Sequence, residues 1–317
     1  MTEITIGVDV SKDTLDAHRY PRGDEHRFTN DPAGHQALIG WIGTEVSRVV
    51  FEPTGPYHGA LERALAKAGV PIVKVNPRNA RNFAKAAGKL AKTDQQDAAL
   101  LARMGAMLQL EPRPGCSEAF AELKQLHIAR EALIKDRTAA KNREKTITLS
   151  LLKRQNAERL KQIEEQIASV EAEILARIKA DENLAHRFEI VTSIPGIAHL
   201  TAFVLLIGMP ELGTMEPGQA ASLAGLAPMA RQSGKWTGKA FIQGGRNKVR
   251  HALFMPALVA VRFNADLKAK YEQLIKAGKP PKVAIVAIMR KLVLLANALL
   301  KADRLWQKEK PCPSRIL

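Results

Sequence analysis

The chain has 317 residues and 46% hydrophobic content, which is enough for one large core or two smaller ones, and we expect two domains. Its 48 Lys and Arg against 32 Asp and Glu leave a net charge of +16, so we expect a polyanionic partner such as a nucleic acid. Two cysteines argue against a disulfide framework or a thiolate metal site. We expect neither a signal peptide nor an apolar run long enough to span a bilayer. We therefore predict a cytoplasmic, nucleoid-associated protein.

The first part of the chain has the pattern of a mixed sheet covered by helices. Residues 4–10 alternate apolar and polar side chains, which predicts a strand with Asp9 off the apolar face. A second acid, Glu52, ends a short buried strand just before Pro53. The other elements predicted are strands at 14–20, 26–30 and 71–75, and helices at 32–43, 57–68 and 94–108. This order predicts an α/β domain over residues 1–111.

Two carboxylates, Asp94 and Asp97, open the last of these helices on one face. Acids in a first turn also cap helices through the helix dipole, which is the simpler interpretation. The preceding segment, however, has no acid between Val70 and Thr93. Its cations recur at helical spacing as one basic stripe: Arg78, Arg81, Lys85, Lys89 and Lys92. Enzymes that act on phosphodiesters typically use cations to bind the polyanion and carboxylate oxygens nearby to bind magnesium.

The order of these acids resembles the RuvC-like branch of the ribonuclease H fold. The resemblance implies that Asp9, Glu52, Asp94 and Asp97 form one acidic cluster. Two alternatives remain open, because Asp9 could cap a hairpin turn and Glu52 could be an ordinary acid at the edge of a loop.

A break at residues 111–115, which contain two prolines, marks a boundary. In the helical region that follows, apolar residues step by three and four among charged ones: Leu160, Ile163, Ile167, Val170 and Ile174. We therefore predict a helical coiled-coil arm over residues 112–187, followed by a mainly α C-terminal domain over residues 188–317.

The C-terminal domain contains two stretches that favour contact with nucleic acid. Residues 194–197 resemble a helix-hairpin-helix, whose turn at Gly196 offers N–H groups to phosphates, although an ordinary helix-to-helix turn would look similar. Residues 224–253 are rich in glycine and surround Ser233 with cations. Those cations are Arg231, Lys235, Arg246, Lys248 and Arg250. Four of them, Arg231, Lys235, Arg246 and Arg250, could polarise an electrophile for the serine. Alternatively, the loop could simply bind a phosphate backbone, with Ser233 adding one hydrogen bond.

Six motifs in this order resemble the DEDD-type transposases of IS110 insertion sequences, also called bridge-RNA-guided recombinases, which are related to Piv-type DNA invertases. The resemblance runs from about Ile4 to Leu300. The motifs are Gly7-Val8-Asp9-Val10-Ser11-Lys12, Phe51-Glu52-Pro53-Thr54-Gly55, Lys92-Thr93-Asp94-Gln95-Gln96-Asp97-Ala98, Ile194-Pro195-Gly196-Ile197, Gly225-Leu226-Ala227-Pro228, and Arg231-Gln232-Ser233-Gly234 with Gly244-Gly245-Arg246.

This resemblance implies a recombinase whose acidic cluster (Asp9, Glu52, Asp94 and Asp97) holds Mg²⁺ while Ser233 attacks DNA. The attack would leave a phosphoserine bond that conserves the phosphodiester energy for strand exchange. The resemblance also implies a structured non-coding guide RNA, the bridge RNA, which pairs with donor and target DNA. Homodimers would join into a tetramer at the synapse.

Three rival functions remain. A RuvC-like structure-selective nuclease would use the same acids with water as the nucleophile. An actin-like sugar or acetate kinase could begin with Ile6-Gly7-Val8-Asp9, but it needs a second similar half, which is not apparent after Asn183. A non-catalytic RNA-binding protein would bind tightly in a salt-sensitive way without DNA chemistry.

Overall fold

The computed structural model describes residues 3–53, 55, 57–88, 94–112, 118–234 and 236–307. For residues 94, 95 and 118 it describes the backbone alone. The chain divides into two compact units, residues 1–121 and residues 122–317, and each is described by itself.

The first unit is a five-stranded mixed sheet with helices on both faces. Its elements are β1 (Ile4–Val10), β2 (Thr14–Tyr20), β3 (Asp24–Thr29), α1 (Pro32–Ile42), β4 (Val46–Phe51), α2 (His58–Lys67), β5 (Ile72–Lys74), α3 (Pro77–Ala86) and α4 (Asp94–Met107). The strand order is β3-β2-β1-β4-β5. β1, β2 and β3 are antiparallel neighbours, whereas β4 runs parallel to β1 and to β5. The predicted mixed α/β domain is confirmed.

One face of the sheet packs against α1 and α2. Apolar side chains that alternate along β1 supply this core, including Ile6 and Val8, which are fully buried. Helix α1 begins where Asp31 accepts a hydrogen bond from the Gly34 N–H at 2.8 Å, ahead of Pro32 in the first turn. The Gly34 N–H is the main cause that holds the pKa of Asp31 below its ordinary value.

The opposite face of the sheet packs against α3 and α4. Val50 and Val73 from the sheet form its core with Leu101 and Met104 of α4. The helix lies on β1 at very close range, because a Cβ on Gly7 would lie 2.0 Å from the Ala98 carbonyl oxygen. Only glycine allows the α4 backbone to approach the strand this closely.

The second unit is mainly helical. It contains α5 (Glu118–Glu144, whose first residues belong to the first unit), α6 (Ser150–Ala180), α7 (Glu182–Thr192), α8 (His199–Gly208), α9 (Pro217–Leu223), β6 (Pro228–Met229), β7 (Gln232–Ser233), β8 (Trp236–Thr237), β9 (Phe241–Ile242), α10 (Asn247–Ala252), α11 (Phe254–Phe263), α12 (Ala265–Lys276) and α13 (Pro281–Lys301). The predicted helical character of the C-terminal part is confirmed.

Helices α5 and α6 form an antiparallel pair. Arg130 pairs with Glu171 at 2.7 Å, and Asn156 donates to the Ala140 carbonyl at 3.2 Å, so the partners converge in sequence toward the connecting turn. The buried residues of α6 alternate in steps of seven and four: Asn156, Ile163, Ile167, Ile174 and Ile178. Because seven and four add up to eleven, these buried positions follow an 11-residue repeat and not a strict heptad. The coiled-coil arm stays a prediction.

Helix α13 contradicts the prediction that no apolar run in the chain is long enough to span a bilayer. By length and composition, Pro281–Lys301 is apolar enough to cross a membrane, so the expectation that the chain holds no such run is wrong. Of the apolar window, 61% is buried inside the structure. Ile288, Leu292 and Val293 are fully buried in the largest core of the second unit. The helix therefore has the burial of a core helix.

Candidate active site

Asp9 and Glu52 lie at the same end of neighbouring parallel strands. The register of β1 and β4 pairs Val8 with Phe51, and each acid is the next residue along its strand direction. Neighbouring strands are about 5 Å apart, so the two carboxylates begin from adjacent backbone positions. Both residues are half-buried. The carboxyl ends of parallel strands are where α/β folds commonly hold their ligands.

Helix α4 runs back along β1 with its first turn toward these acids. A Cβ on Gly105, near the end of α4, would lie 2.9 Å from the Thr5 methyl carbon, whereas Ala98 lies over Gly7. Moving from Gly105 to Ala98 along the helix thus corresponds to moving from Thr5 toward Asp9 along the strand. Asp97, which is half-buried, precedes Ala98 by one residue. Asp94 begins the helix, and its side chain lies outside the described part of the structure.

Glu52 directly follows β4, and continuing the strand's alternation by one residue would bring it to the α4 face as well. Arg48 and Val50 of β4 both face α4, because Arg48 donates to the Gly105 carbonyl at 3.2 Å and Val50 packs with Leu101. Side chains two residues apart on a strand share a face. Three of the four predicted acids are thus carried by elements that meet at one end of the α4 face.

The structure shows another acid that the sequence reasoning missed. Asp16 of β2 pairs in register with Asp9, and Arg27 of β3 pairs in register with Asp16. The Asp16 side chain is only 4% exposed, and Arg27 donates two hydrogen bonds to its carboxylate, at 2.8 and 3.2 Å. Together with Ala98, they line a cavity of about 200 Å³. Alternation in β2 marks Asp16 as lying off the apolar face, but its position beside Asp9 follows only from the hairpin register.

The acidic residues offer the ligand chemistry that magnesium requires, since Mg²⁺ binds carboxylate oxygens. Among the side chains that the structure describes, no three of His, Cys, Asp and Glu gather closely enough to hold a metal ion. The side chain of Asp94 is not among these described side chains. The acids have the ligand chemistry for Mg²⁺, and their binding of a metal stays a prediction.

The basic stripe occupies the outer face of α3. Arg78, Arg81 and Lys85 are exposed, whereas Ala80 and Phe83 on the other face pack into the core. The described part of this segment, Pro77–Ala86, is therefore helical and amphipathic, as a basic stripe at this spacing requires. The remaining members of the stripe, Lys89 and Lys92, lie outside the described residues.

Ser233 lies near the tip of a narrow β-ribbon, residues 228–242, which we call the serine ribbon. β6 pairs with β9 at its base, and β7 pairs with β8 toward its tip. Ser233 is exposed and lies directly opposite Trp236. Gly234 turns the chain with a φ of 55°, and the next residue, Lys235, lies outside the described residues.

The base of the serine ribbon is held by two glycines that cross backbone to backbone. A Cβ on Gly245 would lie 2.2 Å from the Gly225 nitrogen, and both residues have positive φ. Arg250 ties the crossing together by donating to the carbonyls of Gly225 at 3.2 Å and Gly244 at 2.8 Å. Two motifs separated in sequence thereby form one rigid junction.

Several cations predicted to bind nucleic acid already have protein partners. Arg246 forms two bonds to the Glu211 carboxylate, at 2.6 and 2.7 Å, and a third to the Gly208 carbonyl at 2.7 Å. Lys248 forms an ion pair with Glu131. These contacts, like those of Arg250, fix the segments that carry the serine ribbon. Their binding to DNA stays a prediction.

Two further predicted binding residues have defined surroundings. The Arg231 guanidinium lies 4.4 Å from the centre of the Phe241 ring, which orients it within the serine ribbon. Gly196 lies in the turn between α7 and α8 with a φ of 98°. A Cβ there would lie 2.8 Å from the Pro256 carbonyl oxygen, so the turn packs closely against α11.

Comparison with known proteins identifies the family of this chain. A family model for the DEDD transposases of the IS110 group, described as a transposase, matches residues 6–154. A second, described as the transposase IS116/IS110/IS902 family, matches residues 188–272. The pilin gene-inverting protein of Moraxella bovis is 30% identical over 323 residues, which cover 97% of this chain and 99% of the relative. The chain belongs to the IS110 transposase family. The pilin gene-inverting protein of Moraxella lacunata shows the same identity and coverage.

For this IS110-family transposase, each matched region contains some of the predicted site residues. The first region contains Asp9, Glu52, Asp94 and Asp97, and the second contains Gly196 and the serine ribbon. The predicted family is confirmed, and with it a role in transposition or DNA recombination.

Proposed function

We propose that this transposase cuts and rejoins donor and target DNA through a covalent bond to Ser233, with its acids holding Mg²⁺. The observation that carries the proposal is the placement of Asp9 and Glu52 on adjacent parallel strands, facing the helix whose first turn contains Asp97. Carboxylates brought together at one end of a sheet, beside an exposed basic helix face, suit a phosphodiester substrate.

In this proposal the acids supply oxygen ligands, and the cations orient the DNA. Asp9, Glu52, Asp94 and Asp97 would hold the metal in a RuvC-like first domain. Bound there, Mg²⁺ would polarise the scissile phosphate. Arg78, Arg81 and Lys85 on the outer face of α3 would bind the DNA backbone, because they are exposed and spaced along one helix face.

Ser233 would act as the nucleophile. Its Oγ forms a bond to phosphorus while the bond between phosphorus and the leaving strand's oxygen breaks, and that oxygen takes up a proton. The serine proton passes to solvent or to a phosphate oxygen. A strand hydroxyl then attacks the phosphoserine, restores the serine and completes the exchange. The exposure of Ser233 near the ribbon tip supports this role, since a DNA strand can reach it.

Sequence choice would come from a guide RNA that pairs with donor and target DNA. A protein with a +16 charge then needs chiefly to grip nucleic-acid backbones. Dimers that join into a tetramer at the synapse complete the proposal, with a coiled-coil arm over residues 112–187 between domains at 1–111 and 188–317. The antiparallel pair of α5 and α6 supports such an arm.

The test is a search for protein-linked DNA that survives denaturant. The gene would be expressed with its flanking non-coding DNA and incubated with donor and target plasmids and magnesium. We expect an adduct in the wild type and in Ser222→Ala, an exposed serine on α9 that serves as the matched control. The adduct should disappear in Ser233→Ala and in Asp9→Ala.

Cleaved DNA without an adduct, at the same rate in Ser233→Ala, would overturn the nucleophile assignment. That result would instead mean a metal-dependent nuclease that uses water. An adduct that persists in Asp9→Ala at the wild-type level would remove the acids from the mechanism.

A further inference from the structure

The three tryptophans of this chain differ sharply in their surroundings. Trp41 lies under the Arg19 guanidinium at 4.6 Å, and Trp306 packs against the core of the second unit. Trp236, near the tip of the serine ribbon, is 58% exposed. A single exposed aromatic residue is common on protein surfaces, so its meaning depends on how the side chain is held and what lies beside it.

The indole of Trp236 packs against Gly238, two residues later in the chain, and we call this contact its seat. A Cβ on Gly238 would lie 2.4 Å from Cη2 of the indole and 2.9 Å from both Cζ2 and Cζ3. The six-membered ring therefore lies directly against the glycine α-carbon, at a distance that no other residue would allow. One side of the ring is covered by this contact, and the exposed fraction leaves the other side to solvent.

The register of the serine ribbon places this ring beside the candidate nucleophile. Ser233 and Trp236 are directly opposite, so their side chains share a face with Cβ atoms about 5 Å apart. Two positions further from the tip, Arg231 and Gly238 lie on the same face, and the Gly238 N–H donates to the Arg231 carbonyl at 2.8 Å. The same face of the serine ribbon therefore carries the Arg231 cation, the Ser233 hydroxyl and the Trp236 indole.

We propose that Trp236 stacks on an unpaired nucleobase of the DNA strand next to the phosphate that Ser233 attacks. This inference rests on the proposed function, because it takes Ser233 as the point where the strand is bound. Successive nucleotides advance about 3.4 Å along a stacked strand, so a base attached to the attacked phosphate or its neighbour is within reach of the indole. Bases inside a duplex have both faces covered by their neighbours, and the partner must therefore be an unstacked base.

Stacking on an aromatic ring is tolerant of sequence, since every base has a π-face. Trp236 would therefore position a strand without selecting its sequence. The open strand produced during strand exchange supplies the unpaired base that the ring needs. Fixing that base would hold the adjoining phosphate in place against the serine hydroxyl.

The test is a fluorescence titration of the full chain without metal, so that no cleavage takes place. A mixed-sequence single-stranded DNA oligonucleotide is added, and tryptophan emission is recorded alongside the anisotropy of a labelled copy of the oligonucleotide. We expect the emission of the wild type and of Ser233→Ala to be quenched as the oligonucleotide binds. In Trp236→Ala we expect no quenching and an affinity roughly 5- to 100-fold weaker, which corresponds to the loss of one stacked base.

Two variants separate stacking from folding. Gly238→Ala keeps the indole but pushes it off its seat, so it should also reduce quenching and affinity. Phe263→Ala removes an exposed aromatic residue of the same unit outside the serine ribbon and should bind as the wild type does. A matching duplex should quench less than the single strand, because its bases are already stacked on both faces.

Equal quenching in the wild type and Trp236→Ala would overturn the proposal, as would binding of single-stranded DNA without any quenching. Stronger quenching by RNA than by DNA would reassign the base to the guide RNA and overturn it. An emission change that depends on protein concentration and not on nucleic acid would instead indicate contact with a second copy. Because none of these readouts needs an adduct, the inference fails or stands separately from the serine mechanism.

Discussion

The contact between Gly7 and α4 predicts a large effect from the smallest possible substitution, Gly7→Ala. The added Cβ would lie 2.0 Å from the Ala98 carbonyl oxygen and 2.4 Å from the Ala102 nitrogen. Ordinary contacts between heavy atoms lie at about 3.5–4.0 Å, so the helix must move outward by more than 1 Å or so. Both obstructing atoms belong to the helix backbone, which cannot rotate away as a side chain can.

The expected cost follows from this geometry. Overpacking a well-packed core typically costs about 1–3 kcal/mol, and a clash with two backbone atoms of a packed helix belongs at or above the upper end of that range. We therefore expect Gly7→Ala to lower the free energy of unfolding of the first unit by roughly 3 kcal/mol, a large part of the ~5–15 kcal/mol that typically holds a domain together. Since α4 carries Asp97, the displaced helix should also reduce adduct formation by more than the unfolded fraction explains.

Urea unfolding followed through Trp41, which lies in the first unit, measures this change. Gly40→Ala is the matched control, because Gly40 is an exposed residue of α1 with nothing within 4 Å of the added Cβ. That change should leave stability unaltered or raise it by about 0.5–1 kcal/mol, the ordinary preference of a helix for alanine. If Gly7→Ala unfolds at the same urea concentration as Gly40→Ala, the close packing of α4 on β1 is wrong.

Three further predictions concern the ribbon base, the missed acid and pH. Gly245→Ala should destabilise the second unit in thermal unfolding by about 2 kcal/mol more than Gly244→Ala, because both have positive φ but only Gly245 faces backbone within 4 Å. Arg27→Ala should cost about 3–5 kcal/mol in urea unfolding, because it leaves the Asp16 carboxylate buried and unpaired. Asp16→Ala should cost less, because the Arg27 side chain is 58% exposed and can be solvated. Burial lowers the pKa of His127 below its ordinary 6.5, so stability should fall as the pH drops below about 6.5, where the unfolded chain takes up the proton first. His127→Gln should weaken that dependence, as measured by urea midpoints across the pH range.

Each of these predictions has a result that would refute it. Equal melting temperatures for the two glycine variants would contradict the backbone crossing at the ribbon base. A larger loss from Asp16→Ala than from Arg27→Ala would mean that the buried carboxylate is not the costly partner. An unchanged slope of stability against pH in His127→Gln would assign acid sensitivity to other groups.

The strands and helices of the first unit were predictable because their signals are local. Alternation along β1 predicts the side of the sheet on which Asp9 lies, and the break at Pro53 predicts that Glu52 ends its strand. The position of Asp16 was not predictable in this way, because it depends on which residues of two strands pair across a hairpin. Period-two patterns define faces, whereas register is defined by the turn and by packing.

The serine ribbon shows a second limit. Its strands are two residues each, too short for any alternation to be read, and the stretch was predicted only as a glycine-rich loop. The partner of Arg246 was also beyond local reasoning, since Glu211 lies 35 residues earlier in the chain. A cation beside glycines looks the same in sequence whether it binds a phosphate or a carboxylate of its own fold.

The glycine crossing beneath the serine ribbon has a consequence for variation among related enzymes. Because the crossing of Gly225 and Gly245 and the bonds of Arg250 close the junction without any side chain of the serine ribbon, the intervening residues are free to change in length and composition without altering the helices below. The serine ribbon can therefore be replaced as a unit while the glycine crossing is kept. Replacing the ribbon of one homologue with that of another should change how a DNA strand is bound and leave the melting temperature of the recipient unchanged.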